Sequence, residues 1–379
     1  MTSASYSSAA AEPFEGLRIR GVAKTFGTDT TVLNEIDLDV HPGELISLVG
    51  SSGTGKSTLL RIIAGLEEPS AGRVTYAGQP LERGSVGVVF QRPILYPHLS
   101  VKDNILFPTR LGAFAGRVDM DYYRELLEAL KLEGLEARKP SQLSGGQAQR
   151  VGIARALIRR APVVLFDEPL ASVDEQMSAS IRADIVRLHE RYGFTGLYVT
   201  HDQNEALMLG QRVAVMDAGY LVQVDTPERL LAHPHTLQVA KLMAAPALNL
   251  LALEDSESLP AGCELAIRAT ALCLVAADVA HALPVQVLGS RHLVGGMLYR
   301  ARLLEAVSLP LESQRASADS ELSARMYARV RAGQELEFFI PDAQGTSLIG
   351  ASLSVGEQVH LGVAAERCFL FSDGKRFYL

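Results

Sequence analysis

LISLVGSSGTGKSTLLRII, Leu45–Ile63, is the stretch from which the fold can be read. LISLV reads as a buried strand, and the apolar run after Thr58 reads as a helix. Between them GSSGTGKST, Gly50–Thr58, fits the pattern G-x-x-x-x-G-K-[ST]. A strand feeding a glycine-rich loop that opens a helix is the context in which this pattern cradles phosphates. Gly50, Gly53 and Gly55 let the backbone turn its N–H groups toward a phosphate chain, and the helix aims the positive end of its dipole at the same place. Gly50, Ser51, Ser52, Gly53, Thr54, Gly55, Lys56, Ser57 and Thr58 are therefore the candidate nucleotide-binding residues. Lys56 is expected to bridge β- and γ-phosphate oxygens, and the Ser57 hydroxyl to ligate Mg²⁺.

Outward from this loop, short apolar strands alternate with amphipathic helices, the pattern of an α/β P-loop NTPase. VGVVF (Val86–Phe90), VVLF (Val163–Phe166) and LYVT (Leu197–Thr200) read as buried strands. In SASIRADIVRLHERYG, Ile181, Ile185, Leu188 and Tyr192 share one helical face. RVAVMDAGYLVQV reads as a hairpin turning at Asp217-Ala218-Gly219. VVLFDEP, Val163–Pro169, ends a strand in two carboxylates. Alone, such an end is as readily a solvated acidic pair. Downstream of a P-loop, Asp167 suits a place behind the ligands of Mg²⁺, and Glu168 suits polarising a water. No N-K-x-D motif for reading a guanine base is present.

The chain has 379 residues, 47% of them hydrophobic, enough for two domains with their own cores. No run of about 18 apolar residues suggests a membrane span; the richest stretch, Leu265–Leu288, is broken by Arg268, Asp278, His281 and Pro284. The start, MTSASYSSAAAEPFEG, lacks a basic region and an apolar region, so residues 1–14 read as a flexible tail and not a signal peptide. The three cysteines form no C-x-x-C pair, which suits a reducing cytosol. A net charge of −7 argues against broad nucleic-acid binding, and no nucleic-acid partner is expected. After the hairpin, HPHTLQVAKLMAAPALN (His233–Asn249) reads as a short helix between prolines. Beyond it, runs such as LPVQVLG and QELEFFIP alternate with Gly and Pro. The expected organisation is an ATPase domain over 15–235, a linker over 236–249, and a smaller β-rich, barrel-like domain over 250–379.

A further segment narrows the field. LSGGQAQR, Leu143–Arg150, opens a helix with two adjacent glycines, although glycine within a helix costs about 1 kcal/mol relative to alanine. With Gly50–Thr58, LSGGQ and VVLFDEP in this order, the chain resembles an ABC-type ATPase over about Leu17–Leu231. The resemblance implies the remaining roles. Phe26 stands where the family stacks an aromatic on adenine. Gln91 matches the Q-loop glutamine that touches Mg²⁺ and the attacking water, so Ser57, Gln91 and Asp167 form the metal set. Glu168, His201 and Gln91 are the catalytic set, His201 being the switch histidine on the γ-phosphate. Asp174 closes the D-loop, LASVD, and residues 92–142 hold a helical subdomain. The resemblance also implies a head-to-tail homodimer, with ATP held between one P-loop and Leu143, Ser144, Gly145, Gly146 and Gln147 of the other subunit. A side chain at Gly145 or Gly146 is expected to block that approach.

A single P-loop, a single LSGGQ and no heptads between Thr58 and Leu143 point to a separate nucleotide-binding subunit. FQRPILYPHLSVKDNI is similar to the Q-loop region of importer ATPases, with Leu95, Tyr96 and Leu99 as candidates to line a groove for a permease. Asp225–Leu251 resembles the junction before a TOBE-like regulatory domain, and VHLGVAAERCFLF resembles its closing strands. IRATAL departs from the pattern, since many relatives have Pro after the Arg. The resemblance implies an importer ATPase, peripheral on the cytoplasmic face of the membrane, working with permease subunits and indirectly a solute-binding protein. Its solute is expected to be a carbohydrate or glycerol phosphate, with polyamine, ferric iron or sulfate as alternatives. A soluble ABC ATPase with a regulatory or repair role and no permease is the reading from another class.

Overall fold

The computed structural model describes residues 14–27, 29–110, 118–254, 259, 262–311, 326–342 and 353–376. The expected tail lies outside them, apart from Phe14. The chain divides into two compact units, Met1–Pro227 and Glu228–Leu379.

The first unit runs β1 (Leu17–Phe26), β2 (Thr30–Val40), β3 (Leu45–Val49), α1 (Lys56–Ile63), β4 (Ala71–Tyr76), β5 (Gln79–Pro80) and β6 (Gly87–Val89). It continues through α2 (Val101–Leu106), α3 (Met120–Ala129), α4 (Gly145–Leu157), β7 (Val163–Asp167), α5 (Glu175–Tyr192), β8 (Thr195–Thr200), α6 (Gln203–Leu209), β9 (Arg212–Asp217) and β10 (Tyr220–Asp225). Two sheets result. The central one has the order β10-β9-β3-β8-β7-β6, with β6, β7, β8, β3 and β9 parallel and β10 antiparallel to β9. The other is antiparallel, β2-β1-β4-β5.

A parallel sheet covered on both faces needs strands that are apolar on both faces, and β3 is buried at every residue. The alternation of β7 sorts its side chains into two cores. Val164 and Phe166 join Ile181, Ile185 and Leu188 of α5 and the apolar residues of α2–α4. Val163 and Leu165 join α1 and the antiparallel sheet. Full burial of each such side chain contributes about 1.5–3 kcal/mol. The β9–β10 hairpin turns at the expected place, with Ala218 at φ +46° and Gly219 at φ +82°, the pair of left-handed residues a two-residue turn requires.

The second unit opens with α7 (Pro227–Ala232) and α8 (Leu237–Leu242), followed by β11 (Leu248–Ala252), β12 (Glu264–Arg268), β13 (Cys273–Val275), β14 (Leu283–Leu293) and β15 (Gly296–Leu303). It ends with β16 (Val307–Leu311), β17 (Met326–Val330), β18 (Glu335–Pro341), β19 (Gln358–Gly362), β20 (Cys368–Ser372) and β21 (Lys375–Arg376). Its sheets have the orders β11-β12-β20-β21, β13-β19-β14-β15-β18 and β16-β17. The segment expected as a linker, 236–249, holds α8 and the start of β11 and belongs to this unit. The reason is bonding to residues of the later strands: Leu237 N–H donates to Gly374 O at 2.9 Å, Ala269 N–H to Ala247 O at 3.0 Å, and Arg268 Nε to Met243 O at 3.3 Å.

Candidate nucleotide site

The loop Gly50–Thr58 leaves the end of β3 and enters α1, as expected. Gly53 and Gly55 take φ of +83° and +97°, a region that side chains with a Cβ rarely enter. At Gly50 and Gly55 the loop also has no spare volume. A Cβ on Gly50 would lie 2.4 Å from Met216 O, and one on Gly55 would lie 2.8 Å from Val32 O. Gly55 is the N-cap of α1 and offers no side-chain acceptor, so the first N–H groups of the helix stay open to a ligand. Thr54 Oγ1 donates to Ser51 O at 2.9 Å and closes the turn. Lys56 Nζ donates to Gly50 O at 2.8 Å and Ser51 O at 2.9 Å. Its ammonium is therefore held inside the loop. Burial lowers the Lys56 pKa, against the attraction of Glu168 and Asp167. Positive-φ glycines, open helix N–H groups and a buried ammonium are the donor set a phosphate chain requires.

Strand order brings the carboxylates to this loop. β8 lies between β3 and β7, so Asp167, Glu168 and His201 share one edge of the sheet with it. Ser57 Oγ donates to Asp167 Oδ1 at 3.3 Å. Burial is the main cause that raises the Asp167 pKa, and the charge of Glu168 adds to it. A half-buried carboxylate beside a hydroxyl fits a divalent cation. Glu168 N–H donates to Val199 O at 2.9 Å, which ties it to β8, and its Oε2 meets His201 Nδ1 at 3.0 Å. Glu168 has φ +44°, a left-handed conformation that costs a non-glycine residue about 1 kcal/mol or more. Gln91 is exposed beyond β6. Phe26 ends β1 and is 43% exposed, with Lys24 Nζ over its ring, 4.9 Å from the centroid.

Leu143–Gln147 stand apart: among the described residues no hydrogen bond or ion pair joins them to Gly50–Thr58. Ser144 is the N-cap of α4. Its Oγ accepts from Gln147 N–H at 3.3 Å, while Gln147 Oε1 accepts from Ser144 N–H at 3.0 Å, a capping box. The Ser144 hydroxyl proton remains available to donate outward. The two glycines differ. A Cβ on Gly145 meets nothing within 4 Å, whereas one on Gly146 would lie 2.5 Å from Met177 Cγ. At Gly146 the Met177 side chain would have to move to admit a Cβ, a restraint from within the chain that Gly145 lacks. Asp174 caps α5 by accepting from Met177 N–H at 3.0 Å.

Several residues that shape the site went unnoticed in the sequence. Glu205 accepts from Thr200 Oγ1 at 2.8 Å and Tyr198 Oη at 3.1 Å. Thr200 Oγ1 in turn accepts from Asp202 N–H at 3.0 Å. Together they stiffen the turn that carries His201. Burial and Glu205 raise the Tyr198 pKa well above that of a free phenol. Arg150 donates to Asp184 through Nε and Nη2, at 3.1 and 2.9 Å, and the Asp184 side chain is 0% exposed. A carboxylate three residues after Ile181 on the buried face of α5 is the signal that a cation must cover it. Of the groove candidates, Leu95 packs into the core and the Tyr96 ring lies 4.4 Å from that of Phe107. Asn104 braces the turn by accepting from Tyr96 N–H and donating to Leu99 O and Ser100 O. The large apolar side chain this turn leaves most open is Ile94, 63% exposed.

Residues 33–171 match the ABC transporter family. The sn-glycerol-3-phosphate import ATP-binding protein UgpC 1 of Rhizobium johnstonii is 45% identical over 241 residues, 62% of this chain and 65% of that protein. UgpC of Yersinia enterocolitica is 45% identical over 62% of this chain and 67% of its own length; UgpC of Salmonella typhi is 42% identical over 67% and 74%. The chain thus spans about two thirds of the length of these relatives, and 65% of the first. Among solved structures, part of the ABC transporter complex cbiONQ of Clostridium perfringens aligns with a TM-score of 0.52 at 27% identity, over 59% of this chain and 92% of that one. A dimeric bacterial ABC transporter cassette aligns at 0.50 and 33% identity, over 56% and 98%.

Proposed function

Because this chain belongs to the ABC transporter family, we propose that it is the ATP-hydrolysing subunit of an importer. Two copies work head to tail on the cytoplasmic face of a membrane, bound to separate permease subunits. The observation that carries the reading is the pairing of Glu168 with His201, 3.0 Å apart at the sheet edge that holds the P-loop. The P-loop amides and Lys56 bind the phosphates of ATP, and Phe26 holds the base. Ser57 and Gln91, with Asp167 behind them, would hold Mg²⁺, which supplies charge neutralisation on the phosphate oxygens. Glu168 accepts the proton of the attacking water, and His201 keeps the carboxylate oriented and reaches the γ-phosphate. Ser144 and Gly145 face the nucleotide of the other subunit.

The solute is glycerol phosphate, for whose import the relatives are named, or a related carbohydrate. A solute-binding protein delivers it outside, and the permease carries the specificity. The permease docks in a groove of about 300 Å³ lined by Leu66, Val88, Phe90, Pro108, Arg83 and Arg155. Leu66 is 51% exposed there, and Arg155 Nη1 donates to Ile94 O at 2.6 Å, which sets the exposed Ile94 beside it. Among the described residues no helix is long and apolar enough to cross a membrane, so attachment through a permease is the natural arrangement. Reconstitution with the permease in vesicles tests this. Enclosed Mg-ATP should drive uptake of labelled glycerol 3-phosphate, and Glu168→Gln should abolish it. ATP turnover indifferent to permease and solute would favour the regulatory or repair reading.

A further inference from the structure

The first turns of α4 and α5 are pressed together at a place the nucleotide chemistry does not require. Gly146, at the start of α4, is buried, and a Cβ there would come within 2.5 Å of Met177 Cγ and 2.8 Å of its Sδ. Met177 lies in the first turn of α5, its N–H bound by the Asp174 carboxylate at 3.0 Å. About one turn further along α4, Arg150 crosses to Asp184 with two bonds, and its Nη2 also donates to Ser180 Oγ at 2.8 Å. Arg187 and Lys131 close the outer side of the same carboxylate. A steric contact and a buried, forked ion pair therefore join the two helices at two heights. Upstream of α5 the chain is tightly wound: Ala171 N–H donates to Glu168 O at 3.2 Å and Val173 N–H to Leu170 O at 3.1 Å. Six residues thus lead from Glu168 to Asp174 through consecutive turns.

We propose that Met177 and the Arg150–Asp184 pair lock the signature and the D-loop into one body, and are positioning residues for hydrolysis in the other subunit. The proposal rests on the head-to-tail reading above. Ser144 and Gly145 stand at the end of α4 that Met177 and Arg150 fix. A displacement of the turns that begin at Glu168 moves the cap of α5, and through Met177 the start of α4. The state of one subunit's catalytic carboxylate thereby reaches the nucleotide that its own signature contacts in the partner.

A steric-rescue experiment on the full chain separates this role from direct contact with nucleotide. Gly146→Ala places a methyl where Met177 stands, about 1 Å closer than ordinary van der Waals contact. It should lower kcat at least tenfold, while the affinity of the isolated subunit for a fluorescent ATP analogue stays within twofold. Adding Met177→Ala makes room and should restore most of the lost rate. Gly145→Ala, whose methyl enters open space, should also lower kcat and should not be rescued by Met177→Ala. No rescue of a folded Gly146→Ala chain, or wild-type rate in that chain, overturns the proposal. A Gly145→Ala chain with wild-type rate and ATP-driven dimerisation would instead strike at the head-to-tail reading. Arg150→Lys keeps the charge but loses the fork, so it provides a second route if Gly146→Ala does not fold. It should cut kcat several-fold at unchanged KM and unchanged subunit affinity, and an unaltered kcat refutes the lock.

Discussion

Glu168→Gln isolates one chemical property from everything else at its position. The amide keeps the length and shape of the side chain and can still meet His201 across 3.0 Å. The backbone at φ +44° is equally strained in both forms, so the strain cancels. What disappears is a carboxylate able to take a proton from water, a step worth roughly 10²–10⁴ in rate, or about 2.7–5.4 kcal/mol at 1.36 kcal/mol per tenfold change. Two side effects have known signs. Asp167, whose pKa Glu168 pushes up, titrates lower in the variant. Lys56 loses one of the charges that supports its ammonium. Neither removes the amides or the lysine that grip phosphate, so nucleotide binding should persist and the ATP-loaded dimer should accumulate. Phosphate release under saturating Mg-ATP measures the rate, gel filtration with ATP measures the dimer, and a thermal melt controls for folding. Turnover within threefold of wild type would refute the assignment of Glu168. Glu168→Gly gives a further check: it relieves about 1 kcal/mol of left-handed strain, so it should be as stable as wild type and equally inactive.

Lys56→Ala removes a charge-assisted phosphate contact and should raise the Kd for Mg-ATP at least tenfold in a direct titration, whereas His201→Ala should leave binding intact and slow turnover. Asp184→Ala leaves the Arg150 guanidinium buried, with an 8% exposed side chain, and should cost about 3–5 kcal/mol, read as a lower urea midpoint. Asp167 has a raised pKa in the folded chain, so its charge opposes folding as pH rises through that value. Asp167→Asn should therefore stabilise the nucleotide-free chain at neutral pH, with the gain fading toward acid, while Mg-dependent hydrolysis is lost; a melt series across pH checks the sign. A chain cut at Pro227 should be more soluble than one cut at Ala245, because the longer form keeps α7 and α8 without the strands whose Ala266, Phe369 and Phe371 cover Ala240.

Features repeated along the chain were the legible ones. LISLV and VVLF declare themselves because a strand covered on both faces has no room for charge, and both were placed within a residue of their observed ends. The phosphate loop is legible because its chemistry demands glycine at positions where the backbone turns left-handed, and Gly53 and Gly55 obey that demand. The unit boundary was less so. Pro234 and Pro246 look like punctuation, yet the bonds that join Leu237 to Gly374, His235 to Arg376 and Met243 to Arg268 tie the segment they enclose to residues 25 or more positions away. A linker and a docked helix share the same local composition, and only the distant partner decides between them.

The signature shows how far a motif can be read without its surroundings. Gly145 and Gly146 are indistinguishable as letters, and one reason was assigned to both. In the fold they face different neighbours. Gly145 looks into open space, where nothing within the chain calls for a glycine, while Gly146 lies against Met177. The same division separates Glu168 from Glu205. Both follow strands of the central sheet, but Glu168 ends in a half-exposed pair with His201, whereas Glu205 is consumed by Thr200 and Tyr198. A motif identifies which residues face the reaction. Which residues hold those in place depends on contacts between helices and strands far apart in sequence, and there Met177, Arg150 and Glu205 carry the work that the motif letters alone do not.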